Sequence, residues 1–190
     1  MLAEFQNALV TLAVDRRLRQ AFAVDATAVL AQFDLDDRER GSLLALPSIE
    51  LERFAQGLIA KRWDDLAPVV PLTLRIAPKV ASYYRWWLAE HPALVSATLL
   101  PAGIAEALRC EAIVRQRLVD DDEPGYAADL WSFEIRRAAA RRDGEVRTLT
   151  SRYAIESIAR EVAGGLLPID PPRQATEVRF ASAKVTWRRC

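Results

Sequence analysis

The chain has one histidine, His91, in "LAEHP" at the end of a helical stretch and directly before Pro92. An imidazole there can close a helix end or ligate a metal. A zinc site, however, needs three or four donors in a fixed arrangement, and Glu90 alone does not supply them. The sequence contains no HExxH, CxxC or GxSxG motif and no glycine-rich phosphate loop. Gly164-Gly165 follows a helical pattern rather than opening one, which suits a C-terminal cap. The runs Asp64-Asp65 and Asp120 to Glu123 can hold a divalent cation, but consecutive acids more commonly form a solvated turn. Cys110, inside "IAEALRCEAIVRQRL", reads as a small core residue, and a disulfide to the distant Cys190 is not expected in a reducing compartment. No catalytic residue or metal ligand is therefore assigned, and nothing in these residues argues for an enzyme.

The basic and aromatic residues offer more. Seven arginines against three acids (Asp143, Glu145, Glu156) lie between Arg136 and Arg160, and Arg188 and Arg189 follow Trp187. Arginine interleaved with aromatics can hold phosphate and stack bases. It can equally anchor an acidic peptide or a partner protein. Lys plus Arg equals Asp plus Glu, 26 of each, so there is no excess of positive charge to hold a polyanion. The balance favours a peptide or protein partner over nucleic acid.

The elements that must position these residues are mostly helices. In "LERFAQGLIAKRW", residues 51–63, the apolar stripe is Leu51, Phe54, Ala55, Leu58 and Ile59, with Arg62 at its end. Upstream, Asp25 and Asp34 or Asp36 are placed to cap short helices. Pro47 stops one helix, Ser48 caps the next to about Leu66, and Pro68 and Pro71 break it. Pro78 suits the first turn of a helix carrying Tyr83, Tyr84, Trp86 and Trp87 around its whole circumference, so some of these must face a second layer or another chain. Pro101 opens a further helix, and "YAADLWSFEIRRAAARR" is another. After the Asp143-Gly144 turn the pattern changes to a strand, "EVRTLTSRY", a short helix, "AIESIAREVAGG", and a terminal β-hairpin, "TEVRFASAKVTWRRC".

The expected fold is mainly α with a small C-terminal α+β part: a helical bundle over 1–97 and an α+β peptide-recognition-like domain over 98–190. A winged-helix-like arrangement is compatible with that order. The start, "MLAEFQNALVTLAVDRRLRQ", lacks the basic and continuous apolar regions of a signal peptide, and no stretch approaches the ~20 apolar residues of a membrane span. A cytoplasmic location and no membrane partner are expected.

Phe33-Asp34-Leu35, Leu51, Phe54-Ala55, Leu58 and Lys61-Arg62 together resemble a pattern, "FDL" leading to "LxxFAxxLxxKR", of the partner subunits of multinuclear nonheme iron-dependent oxidases. The partner protein of the thiaglutamate peptide-modification pathway is one such subunit. The resemblance covers about thirty residues. It implies a cytoplasmic, non-catalytic subunit in a heterodimer that binds a ribosomally synthesised precursor peptide by its leader and presents it for cysteine modification, as in natural product biosynthesis of this kind. Iron would then belong to the partner oxidase, with no cofactor in this chain. On that reading Lys61, Arg62, Trp63, Tyr83, Tyr84, Trp86 and Trp87 are candidates for the partner interface. Arg179, Phe180, Trp187, Arg188 and Arg189 are candidates for peptide binding, by addition of a strand to the edge between Thr176 and Arg189. Two alternatives stand beside it: a winged-helix transcriptional regulator gripping DNA through Arg136, Arg137, Arg141, Arg142, Arg188 and Arg189, and the small helical subunit of a ring-cleaving dioxygenase.

Overall fold

A computed structural model describes residues 2–91, 99–182 and 184–190. Among these, ten α-helices, one 3-10 turn and a three-stranded antiparallel sheet form, so the chain is mainly α with a small C-terminal α+β part. By its contacts the chain divides into two units of two segments each: Met1–Lys61 with Arg85–Leu94, and Arg62–Tyr84 with Val95–Cys190.

The helices of the first unit are short because aspartates keep restarting them. Asp15 ends α1 (Leu2–Val14) and caps α2 (Arg16–Val24), its carboxylate accepting from Leu18 N–H at 3.0 Å. Asp25 does the same for α3 (Ala26–Leu30) through Ala28 N–H. Asp36, rather than Asp34, caps α4 (Asp37–Leu44), in a reciprocal box with Glu39. The core of this unit gathers Ala8, Leu12, Phe22, Val29, Leu30, Leu35, Leu43 and Leu51.

Helix α5 (Ser48–Leu66) corrects the expected stripe. Leu51, Ala55, Ile59, Trp63 and Leu66 are buried, whereas Phe54 is 48% exposed. Steps of four residues carry the apolar line past Arg62 to Trp63, away from Phe54. A second departure follows the 3-10 turn Ala67–Val69. Pro71 does not simply break the chain but starts a short helix, α6 (Pro71–Ile76), where its missing N–H costs nothing. Helix α7 (Val80–Glu90) comes next, at the expected place after Pro78.

In the second unit α8 (Ala102–Asp120) packs along α9 (Ala127–Asp143), which ends at Gly144 in the left-handed conformation, φ 75°. Strand β1 (Arg147–Tyr153), helix α10 (Ile155–Ala163) and the hairpin of β2 (Arg173–Ala181) and β3 (Lys184–Arg189) follow. The sheet order is β1-β2-β3, with Leu149 opposite Val178 and Val178 opposite Trp187. Alternation puts Leu149, Ser151 and Tyr153 of β1 on the inner face with Thr176, Val178 and Phe180 of β2. Against this face lie Leu130 and Phe133 of α9 and Ile155, Ile158 and Val162 of α10, the last three at helical spacing. Each large side chain fully buried here stabilises the unit by about 1.5–3 kcal/mol. Trp63, Tyr84 and Trp131 form a second apolar line, with ring centroids 5.8 and 6.4 Å apart.

Candidate functional site

A three-stranded sheet has two edges, and the side chains around them treat them differently. Cys190 N–H donates to Ala175 O at 3.0 Å, and in an antiparallel ladder bonded pairs recur at every second residue. The bonded pairs along β2 and β3 are therefore 177/188, 179/186 and 181/184, which leaves the N–H and C=O of Val185, Trp187 and Arg189 directed away from β2. The same alternation on β1 directs Thr148, Thr150 and Arg152 outward.

The β1 edge is partly taken up by side chains. Arg136 donates to Thr148 O, and Arg152 N–H donates to Asp129 Oδ2 at 3.1 Å. Asp129 is buried, and it also accepts from Ser151 Oγ at 2.8 Å and from Arg115 at 2.8 Å. Arg136 is itself held by Glu111 at 2.8 Å. These side chains clasp the strand at both ends. On β3, by contrast, no hydrogen bond among the described residues reaches the outward groups of Val185, Trp187 or Arg189.

Beside the open edge lies a cleft of about 200 Å³ between α10 and the inner face of the hairpin. Its walls are Ser157, Glu156 and Arg160 on one side and Thr176, Trp187 and Arg189 on the other. Trp187 shares a face with the buried Val178, yet its side chain is 54% exposed because α10 does not reach over it. Glu156 pairs with Arg160 at 3.5 Å through Oε1, while its buried Oε2 has no hydrogen-bond partner. The site thus combines an open backbone edge, a half-exposed indole and charged walls.

Another buried carboxylate positions the elements rather than the edge. Glu134 of α9 accepts from Leu72 N–H, Thr73 N–H and Thr73 Oγ1 at 2.7–2.9 Å, capping α6 from some sixty residues away. Burial pushes its carboxyl above the usual range, against the pull of those hydrogen bonds and of Arg137. Glu106, also buried, accepts from Arg62 and from Tyr84 Oη. Burial, and then the Glu106 charge, raises the Tyr84 phenol well above its ordinary value.

The predicted peptide-binding residues separate in the structure. Trp187 and Arg189 line the cleft, while Arg179 and Arg188 lie on the outer, solvent-facing side of the sheet, Arg188 bridged to Glu177 at 2.8 Å. Phe180 does not belong with them. It is 1% exposed and meets Phe133 edge to face at 5.5 Å, because the two-residue alternation of β2 turns it into the core. The predicted partner interface loses members for the same reason. Trp63, Tyr84 and Trp87 are buried and Arg62 is engaged by Glu106, leaving Lys61 exposed, Tyr83 half-buried and Trp86 45% exposed. Tyr83 donates to Asp121 at 2.5 Å. His91 stacks on Trp87 at 4.5 Å, with Nδ1 2.9 Å from Trp87 O, and so closes its helix end.

Sequence reasoning missed Asp129, Glu111, Glu134, Glu156 and Arg160. Asp129 and Glu134 left a signal: both are acids inside the otherwise apolar run "AADLWSFEI". Of the arginines considered for DNA, Arg136 and Arg188 are held in ion pairs, and the Arg137 guanidinium lies 5.9 Å over the Phe133 ring. Cys110 and Cys190 are both free; burial raises the Cys110 thiol to about 12. Among the described residues no helix is long and apolar enough to cross a membrane, and no three His, Cys, Asp or Glu side chains gather as metal ligands. No family model, curated protein or solved structure matches the chain.

Proposed function

We propose that this chain is a non-catalytic peptide-binding subunit that receives an extended precursor peptide at the outer edge of β3 and presents it to an iron-dependent oxidase. The observation that carries the reading is the asymmetry of the sheet. The β1 edge is clasped by Arg136 and Asp129, whereas β3 keeps three residues with outward N–H and C=O groups beside a half-exposed tryptophan. An extended peptide gains affinity from backbone hydrogen bonds at such an edge and selectivity from its alternate side chains. The oxidase partner rests on the resemblance of Phe33-Asp34-Leu35 and the Leu51 to Arg62 stretch, and iron would be the partner's.

The test is co-expression of the full chain with a multinuclear nonheme iron-dependent oxidase, followed by titration of a fluorescently labelled precursor leader. A complex that binds the leader, and loses it on Trp187→Pro, is the expected result. That substitution removes the indole and an outward N–H together, at a position where proline is tolerated in an edge strand. A chain that associates with no oxidase and no leader would overturn the reading.

A further inference from the structure

The two faces of the open edge differ in chemistry, and the difference sets what an added strand must look like. Side chains alternate along β3: Val185, Trp187 and Arg189 share the inner face, and Lys184, Thr186 and Arg188 share the outer one. Val185 packs against the core and Trp187 extends beyond it, so the inner face of the edge is apolar along most of its length. The outer face is open to solvent and basic. Lys184 and Arg188 lie on β3 itself, with Arg179 on β2 opposite Thr186, and Glu177 is the one acid among the hairpin's outer-face residues. Glu177 pairs with Arg188 at 2.8 Å, and among the described residues Lys184 and Arg179 have no ion pair.

A strand laid beside β3 keeps its own side chains in register with these faces, whichever way it runs. Residues that turn inward meet Val185 and the Trp187 indole. Residues that turn outward meet the cations. Opposite charges directly across a strand pair attract and like charges repel. We infer that the ligand of this edge is an extended peptide in which apolar residues alternate with acidic ones, the apolar set covering Trp187 and the acidic set facing Lys184, Arg188 and Arg179. The inference rests on the proposed strand addition and adds the sequence pattern that the edge selects.

The experiment uses the full chain and three labelled nine-residue peptides, followed by fluorescence anisotropy at low and moderate salt. One alternates valine with glutamate and one alternates valine with lysine. The third is the valine–glutamate peptide with two prolines at alternate positions, which removes ladder donors. The valine–glutamate peptide should bind at least about tenfold more tightly than the lysine peptide, since the two cross-strand pairs to Lys184 and Arg188 change sign at once. The gap should narrow with salt, and the proline peptide should not bind. In the double variant Lys184→Glu, Thr186→Glu, at two exposed positions, the order of the two charged peptides should reverse. Equal binding of the glutamate and lysine peptides, with loss on adding proline, would overturn the charge pattern and leave strand addition standing. Absence of binding by every peptide, or indifference to proline, would overturn strand addition and the pattern with it.

Discussion

Phe180 and Trp187 show how one strand pair divides labour between two aromatic residues. Both read as hairpin residues with arginine neighbours, and both face the same side of the sheet. Phe180 sits on the central strand beneath α9, where Phe133 covers it; Trp187 sits on the outer strand, where no helix covers it fully. Phe180→Ala should therefore cost about 3–5 kcal/mol of stability. Trp187→Ala should cost less than about 1 kcal/mol and act instead on peptide affinity. Urea melts of both variants beside a peptide titration check the contrast; equal destabilisation would place Trp187 in the core. The sequence alone carried the strand and its alternation, because β-branched and aromatic residues recur at period two. Which of two aromatic residues lies under a helix depends on how far α9 and α10 extend over the sheet, and no local pattern records that.

Helices α6 and α9 raise the same point one level up. "PLTLRI" is too short to hold a helix by its own propensity, since nucleation is unfavourable and few hydrogen bonds follow. Glu134 stabilises it from outside by taking three donors at its first turn. Glu134→Ala leaves the part-buried Leu72 N–H and the buried Thr73 N–H without a partner and should cost about 1–3 kcal/mol. The pH dependence has a definite sign. The Glu134 carboxyl titrates above its ordinary value of 4.5 in the folded chain, so the native state holds the proton more firmly than the unfolded state. That contribution to stability is present at low pH and fades as pH rises from about 4.5 through the folded value. The stability gap between wild type and variant should thus shrink as pH rises across that window, in melts taken at intervals from pH 4.5 to 7. A gap that widens would assign the charge the opposite role. The caps at Asp25 and Asp36 were legible because their partners lie three residues on. Glu134 was not, because its partners lie in another helix.

At the scale of the molecule, a linear reading places a boundary near residue 97, between the helical bundle and the α+β part. The contacts instead group residues 62–84 with the C-terminal part. The aromatic line through Trp63, Tyr84 and Trp131 and the capping of α6 by Glu134 are the visible ties, and each joins segments far apart in sequence. The clasped β1 edge has a further consequence for how copies of the chain can meet. Linear growth of a sheet through many molecules needs two open edges on each, one to give and one to receive. Here Arg136 and Asp129 hold two outward groups of one edge, which disfavours a second strand there. Two copies would then pair most readily β3 against β3, as a six-stranded dimer. Even that pairing brings Lys184, Arg188 and Arg189 of one copy toward those of the other, so sedimentation at low salt should show monomers, with any dimer appearing only as salt screens the charge. The side chains that hold β1 thus also work against growth of the sheet from one molecule to the next.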